Sequence, residues 1–245
     1  MAPTTIVSVH NPECYVKVYT PLQHHGYNTV RVHLASIDPS HPIHDWSEDI
    51  SRIRSAIEEA ANSGHNVLVV GHSYGGLPSS EAIAVLDLAS QTSANLPGGV
   101  THLFYCCSFV LSEGQSLDSA FASAVIPWYD VSADKMLYKC KTPIEMFYND
   151  LPEEEAKAAV AMLRPHAFQI TFSKVTYAAW KHVPSTCLYC TADQAIPYEV
   201  QKMMVEEGAK GFGIRTETAE VSHSPFYSKP EVMVDVIRRA AGEDV

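Results

Sequence analysis

Asn66-Val67-Leu68-Val69-Val70-Gly71-His72-Ser73-Tyr74-Gly75-Gly76 decides the fold of this chain. The first five residues are an apolar, β-branched run with the character of a buried strand. Gly71 to Gly75 reads G-x-S-x-G, and Leu77 to Leu88 follows with helical character. A strand, a sharp glycine-flanked turn and a helix form the setting in which this motif presents a nucleophile. The turn requires a strained backbone at Ser73, lifting its hydroxyl clear of the sheet. Gly71 and Gly75 lack the β-carbons that would collide there. The helix behind Ser73 offers unpaired N–H groups and a positive dipole end to a developing anion.

The partners of such a serine follow in the order Ser, Asp or Glu, His. Ser185-Thr186-Cys187-Leu188-Tyr189-Cys190 reads as a second buried strand, ending at Thr191-Ala192-Asp193, with Ile196-Pro197 opening a helix. Ile214 to Val221 reads as a last, alternating strand, ending at Ser222-His223-Ser224-Pro225-Phe226, with Pro230 starting a terminal helix. Asp193 and His223 therefore sit just past strand ends, where open α/β sheets gather their catalytic groups. Alone, Asp193 could cap a helix and His223 could be a satisfied loop histidine. Glu220 is the nearest other acid.

Taken together, Gly71 to Gly76, Thr191 to Pro197 and Ser222 to Phe226 resemble the α/β-hydrolases, in particular the small group of plant methylesterases, hydroxynitrile lyases and microbial esterase-like proteins. These pieces span most of the chain. The resemblance implies Ser73 as nucleophile, His223 as general base and Asp193 as its orienting acid, with no cofactor and no metal. It also implies an oxyanion donor in the backbone N–H of Tyr74, and a second in the loop after the first strand. That loop departs from the family pattern. Thr5-Ile6-Val7-Ser8-Val9 runs into His10-Asn11-Pro12, where the family carries His-Gly and a small residue. Pro12 has no N–H to give, so Asn11 is the substitute donor, and His10 a pocket candidate. The lyases of the group tend to carry Cys after the nucleophile and Lys after the histidine; here those positions hold Tyr74 and Ser224.

The remaining chain reads as alternating strands and helices around a mostly parallel sheet covered on both faces. Thr29 to Leu34 alternates as a strand, and Thr101 to Cys107 is another. Asp45-Trp46-Ser47-Glu48 opens a helix with a capping-box-like pattern, and Ile50, Ile53, Ile57 and Ala60 form its apolar face up to Gly64. Ser90 to Gly99 reads as a loop. The expected fold is one α/β domain over residues 1–245. An insertion over 111–182 is expected to form a helical cap above the active site, as it does in the family. Trp128-Tyr129, Phe147-Tyr148, Phe168, Phe172, Tyr177 and Trp180 concentrate there, with Trp128 and Tyr129 the first candidates for the pocket wall.

Composition narrows the function. With 46% hydrophobic and 18% charged residues the chain is an ordinary globular protein. A net charge of −11 disfavours nucleic acid and anionic membrane as partners. The N-terminal residues lead straight into a strand with no signal-like segment, so a cytoplasmic location is expected. Cys187-Leu188-Tyr189-Cys190 matches C-x-x-C, but inside an apolar strand it reads as buried thiols. The twelve histidines, His24-His25 and His41-Pro42-Ile43-His44 among them, lack acidic or cysteine partners at metal-ligand spacing. The substrate expected is small, apolar or aromatic, and carries an ester or lactone. Two other readings stay open: a lyase, cyclase or isomerase with His223 as base, and a small-molecule binding protein. A homodimer is also left open.

Overall fold

The computed structural model describes residues 2–9, 15–122 and 126–245. His10 and Asn11 lie outside the described residues. The chain begins with β1 (Thr4–Val9), α1 (Val16–His24), β2 (Asn28–Val32), α2 (Ser47–Asn62) and β3 (Asn66–His72). A helical turn at Ser73–Gly75 leads into α3 (Gly76–Ala82), then α4 (Leu88–Ser93) and β4 (Gly99–Cys106). α5 (Leu117–Ala120), β5 (Tyr129–Val131), β6 (Leu137–Cys140), α6 (Pro143–Phe147), α7 (Glu153–Ala161) and β7 (His166–Ala167) follow. The chain ends with β8 (Ser185–Cys190), α8 (Tyr198–Lys202), β9 (Arg215–Ala219), α9 (Pro225–Ser228) and α10 (Pro230–Ala240).

The main sheet, six-stranded among the described residues, has the order β2-β1-β3-β4-β8-β9 with every neighbouring pair parallel. Alternate side chains feed two cores. Val67 and Val69 of β3 pack with Ile53 and Ile57 of α2 and Leu77 of α3 on one face. Leu68 and Val70 pack with Tyr19 and Leu22 of α1 and with Met233 and Ile237 of α10 on the other. All four β3 side chains are fully buried, as a strand covered on both faces must be. From β1 the chain turns to β2 on one side and then to β3 on the other. The carboxyl ends of β1 and β3 thus flank the crevice where such sheets bind ligands. Ser73 follows β3 directly.

Local chemistry moves several boundaries from those read in the sequence. The helix expected over Leu77 to Leu88 stops at Ala82. Val85 takes a left-handed φ of 59°, and Arg54 donates to the freed carbonyls of Ala82 and Ala84. Asp87 then accepts from the Ser90 N–H at 2.9 Å and starts α4, so part of the stretch expected as a loop is helical. At the head of α2, Asp45 accepts from the N–H and hydroxyl of Ser47, an Asx turn rather than a capping box.

The segment between β4 and β8 is only partly helical, in contrast to the helical insertion expected. β5, β6 and β7 form a small antiparallel sheet. Its hairpin turns where Asp134 accepts from the Ser132 hydroxyl and the Met136 N–H and Lys135 takes φ 57°. The flanking Tyr129-Asp130-Val131 and Leu137-Tyr138-Lys139-Cys140 carry the aromatic and branched residues that favour strands. No helix among the described residues is long and apolar enough to cross a membrane.

Candidate active site

Ser73 occupies the left-handed region at φ 53°, strained for a residue with a β-carbon. Close packing fixes the turn. A β-carbon at Gly75 would lie 2.5 Å from the Val9 carbonyl oxygen, and one at Gly71 would lie 2.6 Å from the Gly76 α-carbon. Ser108, buried in the loop after β4, donates its hydroxyl to the Ser73 carbonyl at 2.6 Å. The elbow is thus clamped between β1, α3 and the loop after β4.

Three strand ends converge on the hydroxyl. His223 Nε2 lies 2.9 Å from Ser73 Oγ, and His223 Nδ1 lies 2.8 Å from Asp193 Oδ2. The other oxygen of Asp193 accepts from the N–H groups of Ala195 and Ile196 at 2.8 and 2.9 Å. Asp193 is 2% exposed and His223 4%, so the pair is shielded from water. Glu220, the nearest other acid in the sequence, is exposed. With Nδ1–H held by the carboxylate, Nε2 is the acceptor toward the serine hydroxyl.

A second histidine fixes the first. Burial lowers the His72 pKa to about 4, so its ring is neutral at pH 7. Its single N–H donates from Nε2 to the His223 backbone carbonyl at 2.8 Å. Phe147 covers the His223 ring at 5.4 Å. The segment carrying Phe147 is tied to the loops that carry Asp193 and His223. Asn149 donates to the Ala192 carbonyl, Asp150 accepts from the Ser222 N–H, and the Ser222 hydroxyl donates to the Phe147 carbonyl. His72, Cys107 and His223 bring potential metal-ligand atoms within 4.8 Å of one another. Both nitrogens of His223 are already committed, which leaves that group without a ligand from it.

Over Ser73 lies a cavity of about 360 Å³, within the range of small-molecule sites. Its wall is mainly apolar and aromatic. Trp128, Tyr129, Phe147 and Tyr148 line it, together with Phe109 and Ile196. Of the other aromatics concentrated in this region, Trp180 is buried against the Leu111 carbonyl and Phe172 is largely exposed. The Tyr74 N–H heads the helical turn, where no intrahelical carbonyl is available to it. The Tyr74 phenol is turned away from the serine, donating to Asp49 Oδ2 at 2.8 Å.

Asp49 is the residue that sequence reasoning missed. It is 1% exposed and accepts from the Ser36 N–H, the Ser36 hydroxyl and Tyr74. The signal was present: Asp49, Ile53 and Ile57 recur every four residues, placing an acid on the buried stripe of α2. His166 and Tyr138, which join this group, carried no comparable pattern.

The geometry agrees with the relatives of the chain. A model of the alpha/beta hydrolase family matches residues 8–236. The alpha/beta hydrolase nvfD of Aspergillus novofumigatus is 31% identical over 241 residues, covering 97% of this chain and 95% of that protein. Methylesterase 1 of Arabidopsis thaliana is 25% identical, covering 97% and 94%. The crystal structure of a pyrethroid hydrolase from Sphingobium faniae superposes with a TM-score of 0.74 at 17% identity, covering 99% and 98%, a likeness of fold. With its strained, glycine-flanked turn at Ser73, its parallel sheet and a family match over residues 8–236, the chain belongs to the alpha/beta hydrolase family of enzymes.

Proposed function

We propose that this enzyme hydrolyses an ester or lactone in a small, largely apolar substrate, with Ser73, His223 and Asp193 as its catalytic triad. The observation that carries this reading is the continuous hydrogen-bonded line from Ser73 Oγ through His223 to Asp193, set beneath an apolar cavity. His223 Nε2 takes the Ser73 proton as Oγ attacks the carbonyl. Asp193 steadies the imidazolium. The Tyr74 N–H faces the oxyanion, with Asn11, assigned from the sequence alone, as the second donor. His223 then hands the proton to the leaving alcohol. Water, deprotonated by His223, attacks the acyl-enzyme; the acid departs and Ser73 regains its proton. No step calls for a cofactor.

The segment over residues 111–182 acts as a cap on this site, and its aromatics select apolar or aromatic substrates. Buried free thiols at Cys106, Cys107, Cys187 and Cys190 support a reducing, cytoplasmic setting. Turnover of 4-nitrophenyl butanoate tests the reading. Ser73→Ala is expected to lower kcat by at least about a thousandfold, and Asn11→Ala to lower kcat with KM retained. Full turnover by Ser73→Ala would defeat the assignment. A lyase or a binding protein would leave the ester intact even with wild-type protein.

A further inference from the structure

The cavity carries a second polar group that the hydrolytic mechanism does not use. Tyr129, Tyr138 and His166, all on the small antiparallel sheet, contribute to its wall. Behind them stand Ser36 and Asp49, both buried. Tyr138 Oη lies 2.9 Å from His166 Nδ1, and His166 Nε2 lies 2.8 Å from Ser36 Oγ. Ser36 Oγ lies 2.6 Å from Asp49 Oδ2. The Tyr129 ring stacks on that of Tyr138 at 4.1 Å, and the two hydroxyls interact.

The direction of every proton in this line follows from its buried end. Asp49 accepts three hydrogen bonds, from the Ser36 N–H, the Ser36 hydroxyl and the Tyr74 hydroxyl. Ser36 has a single hydroxyl proton, and it goes to Asp49. Ser36 Oγ must therefore accept from His166 Nε2–H. Burial holds the His166 pKa at about 4, so the ring carries one proton at neutral pH. His166 Nδ1 is then an acceptor, and the proton of Tyr138 points to it. The Tyr138 oxygen can accept the proton of Tyr129 in turn. All these protons run toward Asp49, and the phenolic end of the line offers lone pairs.

We infer that Tyr129 and Tyr138 form an acceptor subsite that recognises a hydroxyl group on the substrate, remote from the scissile carbonyl. The substrate class is then a hydroxylated apolar ester or lactone. A carboxylate or bare carbonyl placed against Tyr138 Oη, whose proton is held by His166, would meet lone pairs and lose its hydration without replacement. This inference rests on the hydrolytic reading for the identity of the scissile bond, though the subsite itself does not require turnover. A purely structural role would join Ser36 and Asp49 to the small sheet without distinguishing substrates.

The test uses pairs of 4-nitrophenyl esters of ω-hydroxy and ω-methoxy alkanoic acids over a series of chain lengths. The methoxy member keeps the oxygen and carries a methyl group in place of the donor proton. The protein is expected to favour the hydroxy ester in kcat/KM by about tenfold at the best length, the worth of one net hydrogen bond. Tyr138→Phe, and a second variant with both Tyr129→Phe and Tyr138→Phe, should bring that ratio to about one. A structural role would lower both esters together and leave the ratio standing, which would overturn the proposal. Calorimetric titration of Ser73→Ala with the corresponding ethyl esters gives a reading independent of hydrolysis. Tighter binding of the hydroxy member supports the subsite even if the catalytic assignment fails. Equal binding of the two, or none, overturns it.

Discussion

His72 donates its ring N–H to the backbone carbonyl of His223, 2.8 Å away and 151 positions on in the chain. The residue immediately before Ser73 therefore holds the loop that carries His223. The bond fixes the distance between Ser73 and His223 from the backbone side, while Asp193 orients the imidazole from the side chain. His72→Ala is expected to lower kcat by about tenfold, the effect of one neutral hydrogen bond, with KM little changed. Steady-state kinetics on an aryl ester checks this, and His72→Gln, which keeps a donor, should recover part of the loss.

The left-handed backbone at Ser73 predicts a stability difference between two variants that lack the hydroxyl. Ser73→Ala and Ser73→Gly both lose the hydroxyl, but only glycine occupies φ 53° without strain. The glycine variant should be more stable by about 1 kcal/mol. Urea unfolding of the two proteins measures it; equal midpoints would show that the elbow stores no strain.

Gly75 should tolerate no side chain. A β-carbon there would collide with the backbone of β1, since the Val9 carbonyl oxygen would lie 2.5 Å away, and a strand buried on both faces cannot retreat. Gly75→Ala is expected to cost more than about 3 kcal/mol or to prevent folding. Thermal unfolding and soluble yield report it.

Acid should destabilise the fold over a defined window. Burial lowers the pKa of His72, His102 and His166 from the ordinary 6.5 to about 4. The unfolded chain binds protons at these sites before the native chain does. Stability is therefore full above about pH 6.5 and falls as pH drops toward 4, by up to about 3 kcal/mol for each site. His102, bonded to Thr186 at 2.8 Å and outside the site, isolates the effect. His102→Gln should have a shallower loss between pH 6.5 and 4 in urea titrations.

The fold and the alignment of Ser73, His223 and Asp193 were legible because each has a local cause. β3 announces itself by continuous apolar, β-branched residues, and Ser73, Asp193 and His223 each follow a strand end in the order this architecture requires. The apolar stripe of α2 was equally readable, with Ile53 and Ile57 fully buried. Other features depend on contacts that no short window contains. The early end of α3 depends on Arg54, from a different helix, supplying the donors that a continuing helix would have supplied. The small antiparallel sheet was obscured because its strands are only two to four residues long. The line from Asp49 to Tyr138 joins positions 36, 49, 138 and 166, which only the folded chain brings together.

The central claim is that Ser73 is acylated during turnover. Intact-protein mass spectrometry after rapid acid quench of a reaction with 4-nitrophenyl butanoate tests it most directly. Acylation of Ser73 should give a mass increase of one butanoyl group, mapped by peptide digestion to Ser73, and no adduct in Ser73→Ala. Ester turnover with Ser73 unmodified at every quench time, or an adduct that persists in Ser73→Ala, would contradict it.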